Sequence, residues 1–319
     1  MKLPPFTLVQ ANRSRAAEGG LTKVSSSKSP VQKAAEGRGL GGLTPFKTGL
    51  QRALASSLHR GVLSASDVSL VVDDLNHSRK SKAVGIWDLR SWVGGLPHII
   101  EHLNRAQSAL TFFEVQAAIP SGLVQDAERV AFRAAKMLRR KLKPAEKKEM
   151  RAAIVDVDFF PSAYRVRKTL GVDYLIALTS EAIAGAVDDK AGHTFHADFF
   201  SSYERNVCLA STLGLREFAE KASRPFEMAA AYVAVTSLLA AMNPKIDMHD
   251  WSTGCLFDYN YDRSKIIVGL KKPWIEDQCL KLLRAEDRET AQLLVRALAN
   301  YKAPSNTERS GTKKKAIAL

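Results

Sequence analysis

Apolar residues along this chain fall into two patterns, compact runs and spaced runs, which alternate. DVSLVVDDL (67–75) is a compact run with β-branched valines and predicts a buried strand. After the polar loop NHSRKSKAVG, the stretch IWDLRSWVGGLPHIIEHLNRA has helical spacing, interrupted at Gly94, Gly95 and Pro97. Pro97 suits the first turn of a new short helix, where its missing N–H is not needed. SALTFFEVQAAIP (108–120) predicts a second strand ended by Pro120. VQDAERVAFRAAKMLRRKLK (124–143) predicts an amphipathic helix with Val130, Ala134, Met137 and Leu138 on one face and a basic end.

The second half repeats the alternation. VDYLIALTS (172–180) and RNVCLAST (205–212) predict strands, joined by an acidic and polar connection that contains His193 and His196. GLREFAEKA (214–222) predicts a short helix, and RPFEMAAAYVAVTSLLAAM (224–242) a long one so apolar that it must be buried on most sides. Pro225 marks its start and Asn243-Pro244 its stop. WIEDQCLKLL and DRETAQLLVRALANY (287–301) predict two closing helices. Strands separated by helices, with helices gathered at the end, imply an α/β or α+β fold: a mixed sheet with packed helices.

Charge divides the chain further. Of the net +14, +8 falls in residues 1–60 and +4 in residues 302–319, which leaves +2 for residues 61–301. The Ser-, Gly-, Pro- and Lys-rich segment KVSSSKSPVQKAAEGRGLGGLTPFK has too few large apolar residues to offset the entropy of ordering it. The expected organisation is a disordered basic leader (1–60), a single α/β domain (61–301) with a subdivision conceivable near 144–160, and a disordered basic tail (302–319). Both tails, and the basic patch from Arg139 to Lys148, suit salt-sensitive contacts with nucleic acid; a solvated helix face explains the patch equally well. No apolar run approaches the roughly 18 residues that span a bilayer. Three cysteines, Cys208, Cys255 and Cys279, fit a reducing compartment, so the expectation is a cytoplasmic chain with a protein or peptide partner and no membrane partner.

Zinc is the chemistry the motifs suggest. In HIIEH, His98 and His102 stand four residues apart and share a helical face, so they can ligate one metal while Glu101 activates water. With Gly95-Leu96-Pro97 before it, the string resembles the G-L-x-H-x-x-E-H helix of pitrilysin-type (inverzincin) metallopeptidases over about eight residues. That resemblance implies a third, distant glutamate ligand, for which Glu181 is placed by position.

A second likeness is longer. LIALT (175–179), VCLAST (207–212), the buried helix and then HDWSTGC (249–255) stand in the order of the corresponding elements of the archaemetzincin group of zincins. Residues 172–279 resemble that group, whose tail begins with a zinc-binding histidine, an adjacent cysteine, four residues and another cysteine. Here the spacing holds with Asp250 in place of the first cysteine and Cys255 as the second. The group's closing C-x-x-C pair corresponds, one residue offset, to Glu276 and Cys279 in WIEDQC. Counting back from His249 by the group's H-E-x-x-H-x-x-G-x-x-H spacing reaches LAAMN (239–243), where both histidines and the catalytic glutamate are absent. The resemblance therefore implies a zincin-like fold with a degenerate active site, a non-catalytic binding or regulatory protein. Its structural zinc would sit on His249, Cys255 and Cys279 with Asp250 or Glu276. The alternative is an active zinc peptidase using His98, Glu101 and His102.

Other strings carry less. Asp258, Asn260 and Asp262 in GCLFDYNYDR alternate like part of a calcium loop but lack its glycine and distal glutamate, and read as a self-bonded turn. Cys208 is a conceivable nucleophile with His193 or His196. Phosphate-binding glycine loops and the G-x-S-x-G elbow are absent.

Overall fold

One five-stranded sheet has the order β3 (Leu110–Val115), β2 (Lys82–Leu89), β6 (Tyr174–Thr179), β10 (Val207–Ser211), β9 (Ser201–Glu204). The computed structural model describes Leu8–Val9 and residues 81–189, 192–246, 248–249 and 251–304. The strand expected at 67–75, the leader apart from Leu8–Val9, and nearly all of the basic tail lie outside the described residues. Strands β2, β3, β6 and β10 run parallel, and β9 closes the edge antiparallel to β10.

Both faces of this sheet are covered, and the strand period of two assigns side chains to the two cores. Val84 and Ile86 of β2, Ile176 and Leu178 of β6, and Cys208 and Ala210 of β10 join one core. It is completed by helices α1 (Leu96–Ala106), α6 (Phe226–Met242) and α9 (Ala285–Asn300). Ala83, Trp87, Leu175, Ala177 and Leu209 point the other way, onto Phe159, Phe160 and Ala163 of α4 (Asp156–Leu170). Trp87 is buried there, 6.3 Å from the Phe159 ring, and its indole N–H donates to the Ala117 carbonyl at 3.1 Å.

A second sheet adjoins the first. β5 (Ala153–Val155) runs parallel to β7 (Ala182–Asp189) and antiparallel to β4 (Val124–Gln125). β7 pairs antiparallel with β8 (Gly192–Phe199) and with β1 (Leu8–Val9). Helix α2 (Ala127–Leu138) packs Val130 and Met137 onto it, and the short α3 (Pro144–Glu149) follows. α5 (Leu215–Lys221), α7 (Ile266–Lys271) and α8 (Asp277–Leu282) complete the chain.

The mixed α/β class holds, while three local expectations do not. Residues 82–89 form a central strand where a loop up to Gly85 and the front of a helix from Ile86 were expected. A strand buried on both faces loses its polar alternation, and KAVGIWDL then mimics helical spacing. The connection with His196 is a hairpin, β7–β8, with an edge strand after it. Residues 156–170, where no element was expected, form a fifteen-residue helix that contains Pro161. Among the described residues no single helix is long and apolar enough to cross a membrane.

Candidate metal centre

Helix α6 is built from Ala, Leu, Met and Val, strong or adequate helix formers that bury almost every position. It ends at Asn243, and from there the chain returns over the core in three strips that meet by backbone bonds. His249 N–H donates to Phe257 O at 3.1 Å and Tyr259 N–H to His249 O at 3.0 Å. Leu256 N–H donates to Trp274 O at 2.8 Å. Gly254 turns the chain with φ +90, a left-handed conformation that favours glycine, and its N–H donates to Asp258 Oδ2 at 2.6 Å.

These strips bring His249, Cys255 and Cys279 together, with one ligand atom from each within 4.8 Å of the others. Cys279 comes from the first turn of α8, Cys255 from the Gly254 turn and His249 from the strip after α6. The His249 ring stacks on Trp251, centroids 5.1 Å apart at 16°. Its Nδ1 lies 3.0 Å from the Trp251 carbonyl and 3.2 Å from Asp258 Oδ1. Both are acceptors, so Nδ1 carries the hydrogen and the lone pair resides on Nε2. That Nε2 is buried without a hydrogen-bond partner and lies 3.8 Å from Glu276 Oε2. Glu276 is fixed in turn by the Thr253 hydroxyl, which donates to Oε1 at 2.6 Å.

The electrostatics follow from that crowding. Cys255 is pulled down to about 5, first by the Cys279 thiol and then by His249 and the N–H groups of Glu276 and Phe257 at 3.4 and 3.5 Å. Cys279 is pushed up by the Cys255 sulfur and by burial. Burial works against charge on His249, yet the neighbouring Cys255 sulfur, the Trp251 carbonyl and Asp258 outweigh it and raise the imidazole to about 9. Burial lifts Asp258 to about 6. Once His249 and Cys279 give up a proton each, two thiolates and an imidazole form a donor set suited to zinc. Asp250, the other expected ligand, lies outside the described residues. Glu276 was legible only as the family's cysteine position filled by a carboxylate.

The remaining sequence candidates lie elsewhere. HIIEH does form helix α1 with Pro97 in its first turn. His102 Nε2 sits 3.0 Å from the Ala297 carbonyl with its ring edge-on to Tyr301, and Glu101 pairs outward with Arg105 at 3.5 Å. His98 is half-buried on the same helix, and Glu181 begins the turn into β7. Cys208 is fully buried on β10, and desolvation pushes its thiol up, away from the thiolate a nucleophile needs. His196 packs instead against Phe199 and Tyr261. In the 254–263 turn, Asp258 is bound to Gly254, Asn260 Nδ2 donates to Asp258 O and Asp262 caps the turn at Arg263–Lys265.

Beside the centre, between α6, β8 and residues 256–263, lies a cavity of about 330 Å³, with Thr236, Phe195 and Tyr259 in its walls.

No family model matches this chain, and no curated protein matches it. It is similar to a solved structure described as a zinc-dependent peptidase from Methanocorpusculum labreanum (strain Z). That likeness has 15% identity and a TM-score of 0.36 and covers 63% of this chain and 100% of that one.

Proposed function

We propose that this chain is a binding protein of zincin-like design whose tail is locked by one structural zinc ion, and which does not cut peptides by the H-E-x-x-H route. The carrying observation is the convergence of His249, Cys255 and Cys279, together with a buried His249 Nε2 that has no hydrogen-bond partner. An unpartnered buried acceptor costs about 1–3 kcal/mol, and a metal ligand role removes that cost. His249 Nε2, Cys255 Sγ and Cys279 Sγ would hold the ion, with Glu276 as the fourth donor. Zinc there supplies structural cross-linking of the three strips.

The absence of peptidase chemistry rests on what occupies Leu239 to Asn243. Leu239, Ala240 and Met242 are buried in the core. Asn243 spends its side chain on Leu239 O and Arg284 N–H. No group in that segment can take a proton from water.

Elemental analysis of untagged, dialysed protein tests the zinc directly: one zinc per chain is expected, and a metal-free, stably folded sample overturns the reading. A casein-cleavage assay tests the second half, with no turnover expected. Cleavage that His98→Ala and His102→Ala abolish would instead support the HIIEH peptidase.

A further inference from the structure

One stretch of the described surface is far more basic than the rest. Residues 126–151 hold ten Lys or Arg against Asp126, Glu128, Glu146 and Glu149, a balance of +6. Because residues 61–301 total only +2, the remainder of that region is −4. Three of the cations are neutralised: Arg129 by Asp126, Arg133 by Asp158 and Arg140 by Glu146. Lys136, Arg139, Lys141, Lys147, Lys148 and Arg151 are exposed and make no ion pair among the described residues. Phe132, 69% exposed, stands on the outer stripe of α2 between Arg129 and Lys136. A solvated helix face has no use for an outward phenyl ring amid cations.

The patch ends at the cavity described above. Glu149, Met150 and Arg151 form part of its wall. Tyr261 is 74% exposed there; it stacks on Tyr259 at 6.5 Å and meets the His196 ring edge-on at 5.9 Å. Asn260, also in the wall, is 8% exposed and held in the left-handed region at φ +54. Its Nδ2 is spent on Asp258 O, while its Oδ1 is buried with no hydrogen-bond partner. An aromatic cavity with an unused acceptor wants a flat ligand that offers an N–H. The cations leading to it want an anion.

We propose that this face binds single-stranded nucleic acid, with phosphates along Lys147, Lys148 and Arg151 and one base lodged among Tyr259, Tyr261 and His196 against Asn260 Oδ1. Stacking on aromatic rings and a basic track for the backbone are the two elements of single-strand recognition. A duplex keeps its bases stacked and cannot enter the cavity. Among the acids of the cavity wall, Asp258 is engaged by the Gly254 N–H and by His249 Nδ1, which leaves Glu149 and Asp198 as the groups a phosphate must avoid.

Fluorescence anisotropy on the full chain tests this, using labelled twelve-residue oligo(U) and oligo(dT), a duplex of equal length and phosphatidylserine vesicles across a salt series. Oligonucleotide binding that weakens with salt is expected, tighter for single strands than for the duplex, with the two single-strand arms separating RNA from DNA. The triple variant Lys147→Glu, Lys148→Glu, Arg151→Glu should weaken binding at least tenfold and flatten the salt slope by about 2. Tyr261→Ala should weaken it roughly tenfold, the scale of one lost base stack. The exposure of Tyr261 makes that variant decisive even if the charge variant does not fold. Unchanged affinity in either folded variant overturns the proposal, since the tails would then account for binding. Duplex binding as tight as single-strand binding, or binding to vesicles alone, overturns it as well.

Discussion

His249 shows how one ring is committed by its two nitrogens. The Trp251 carbonyl and Asp258 hold a hydrogen on Nδ1, so Nε2, 3.8 Å from the Glu276 carboxylate, is the nitrogen left to bind a metal once the imidazolium gives up its second proton. In the metal-free protein at pH 7, Cys255 near 5 is ionised, His249 near 9 is protonated and Cys279, pushed up, keeps its proton. Zinc must therefore displace one proton from His249 and one from Cys279. Calorimetric titration at pH 7 in buffers of different protonation enthalpy should report about two protons released per zinc. The sign is fixed by these positions: affinity rises with pH, less steeply above about 9, where only Cys279 still gives up a proton, and it falls more steeply below about 5, where Cys255 also holds one. Glu276→Ala, which deletes the fourth donor, should weaken zinc binding about 10–100-fold. Cys255→Ser should abolish stoichiometric binding. Zinc competition against a chromogenic chelator measures both.

At the scale of elements, the centre depends on a turn that only one residue type makes cheaply. Gly254 has φ +90, and a Cβ there would come 3.0 Å from the Val268 side chain and 3.3 Å from its backbone. Gly254→Ala should cost about 1–3 kcal/mol, seen as a lower denaturation midpoint, and should displace Cys255 enough to weaken zinc binding as well. This turn was legible in part, because HDWSTGC matches the spacing of the motif it resembles, with aspartate at the position of one cysteine. Strands β6 and β10 and helix α6 were legible too, because their apolar runs have clear lengths and clear stops. The rest failed for separable reasons. β2 is buried on both faces, so nothing in KAVGIWDL alternates. β8 did alternate, with Phe195, Ala197 and Phe199 against Thr194, His196 and Asp198, but its polar half disguised it as a loop. α4 carries Pro161, which reads as a breaker; the chain tolerates it six residues into the helix on its exposed side, while Phe159, Phe160 and Ala163 hold the inner face. In HIIEH the two histidines form a pair on one helix face by periodicity alone, and nothing local in the string says what meets them. The Ala297 carbonyl and the Tyr301 ring that meet His102 come from almost two hundred residues away.

For the whole molecule, the centre and the cavity share one segment. Residues 255–258 supply a ligand and the backbone bonds to the His249 and Trp274 strips, and Leu256, Asp258, Tyr259, Asn260 and Tyr261 line the cavity wall. Stripping the zinc should first lower global stability. At a thousandfold excess of free zinc over its dissociation constant the linkage is about 4 kcal/mol. For an ordered body of this size that corresponds to roughly 10 °C in melting temperature. The second effect is more selective. The cations at Lys147, Lys148 and Arg151 stand on α3 and the residue run into β5, away from the strips that the zinc ties, so their contacts with phosphate should survive chelation. Tyr259, Asn260 and Tyr261 follow directly on the tied segment and should lose their fixed positions. Chelated protein is therefore expected to bind an oligonucleotide with the same salt slope, a weaker affinity and no preference for single strands over duplex. Anisotropy before and after chelation, with zinc restored as the control, measures all three. A slope that fell together with the preference would mean that the basic face and the cavity are held by one and the same element. A preference that outlasted the zinc would mean that the core alone positions Tyr259 to Tyr261.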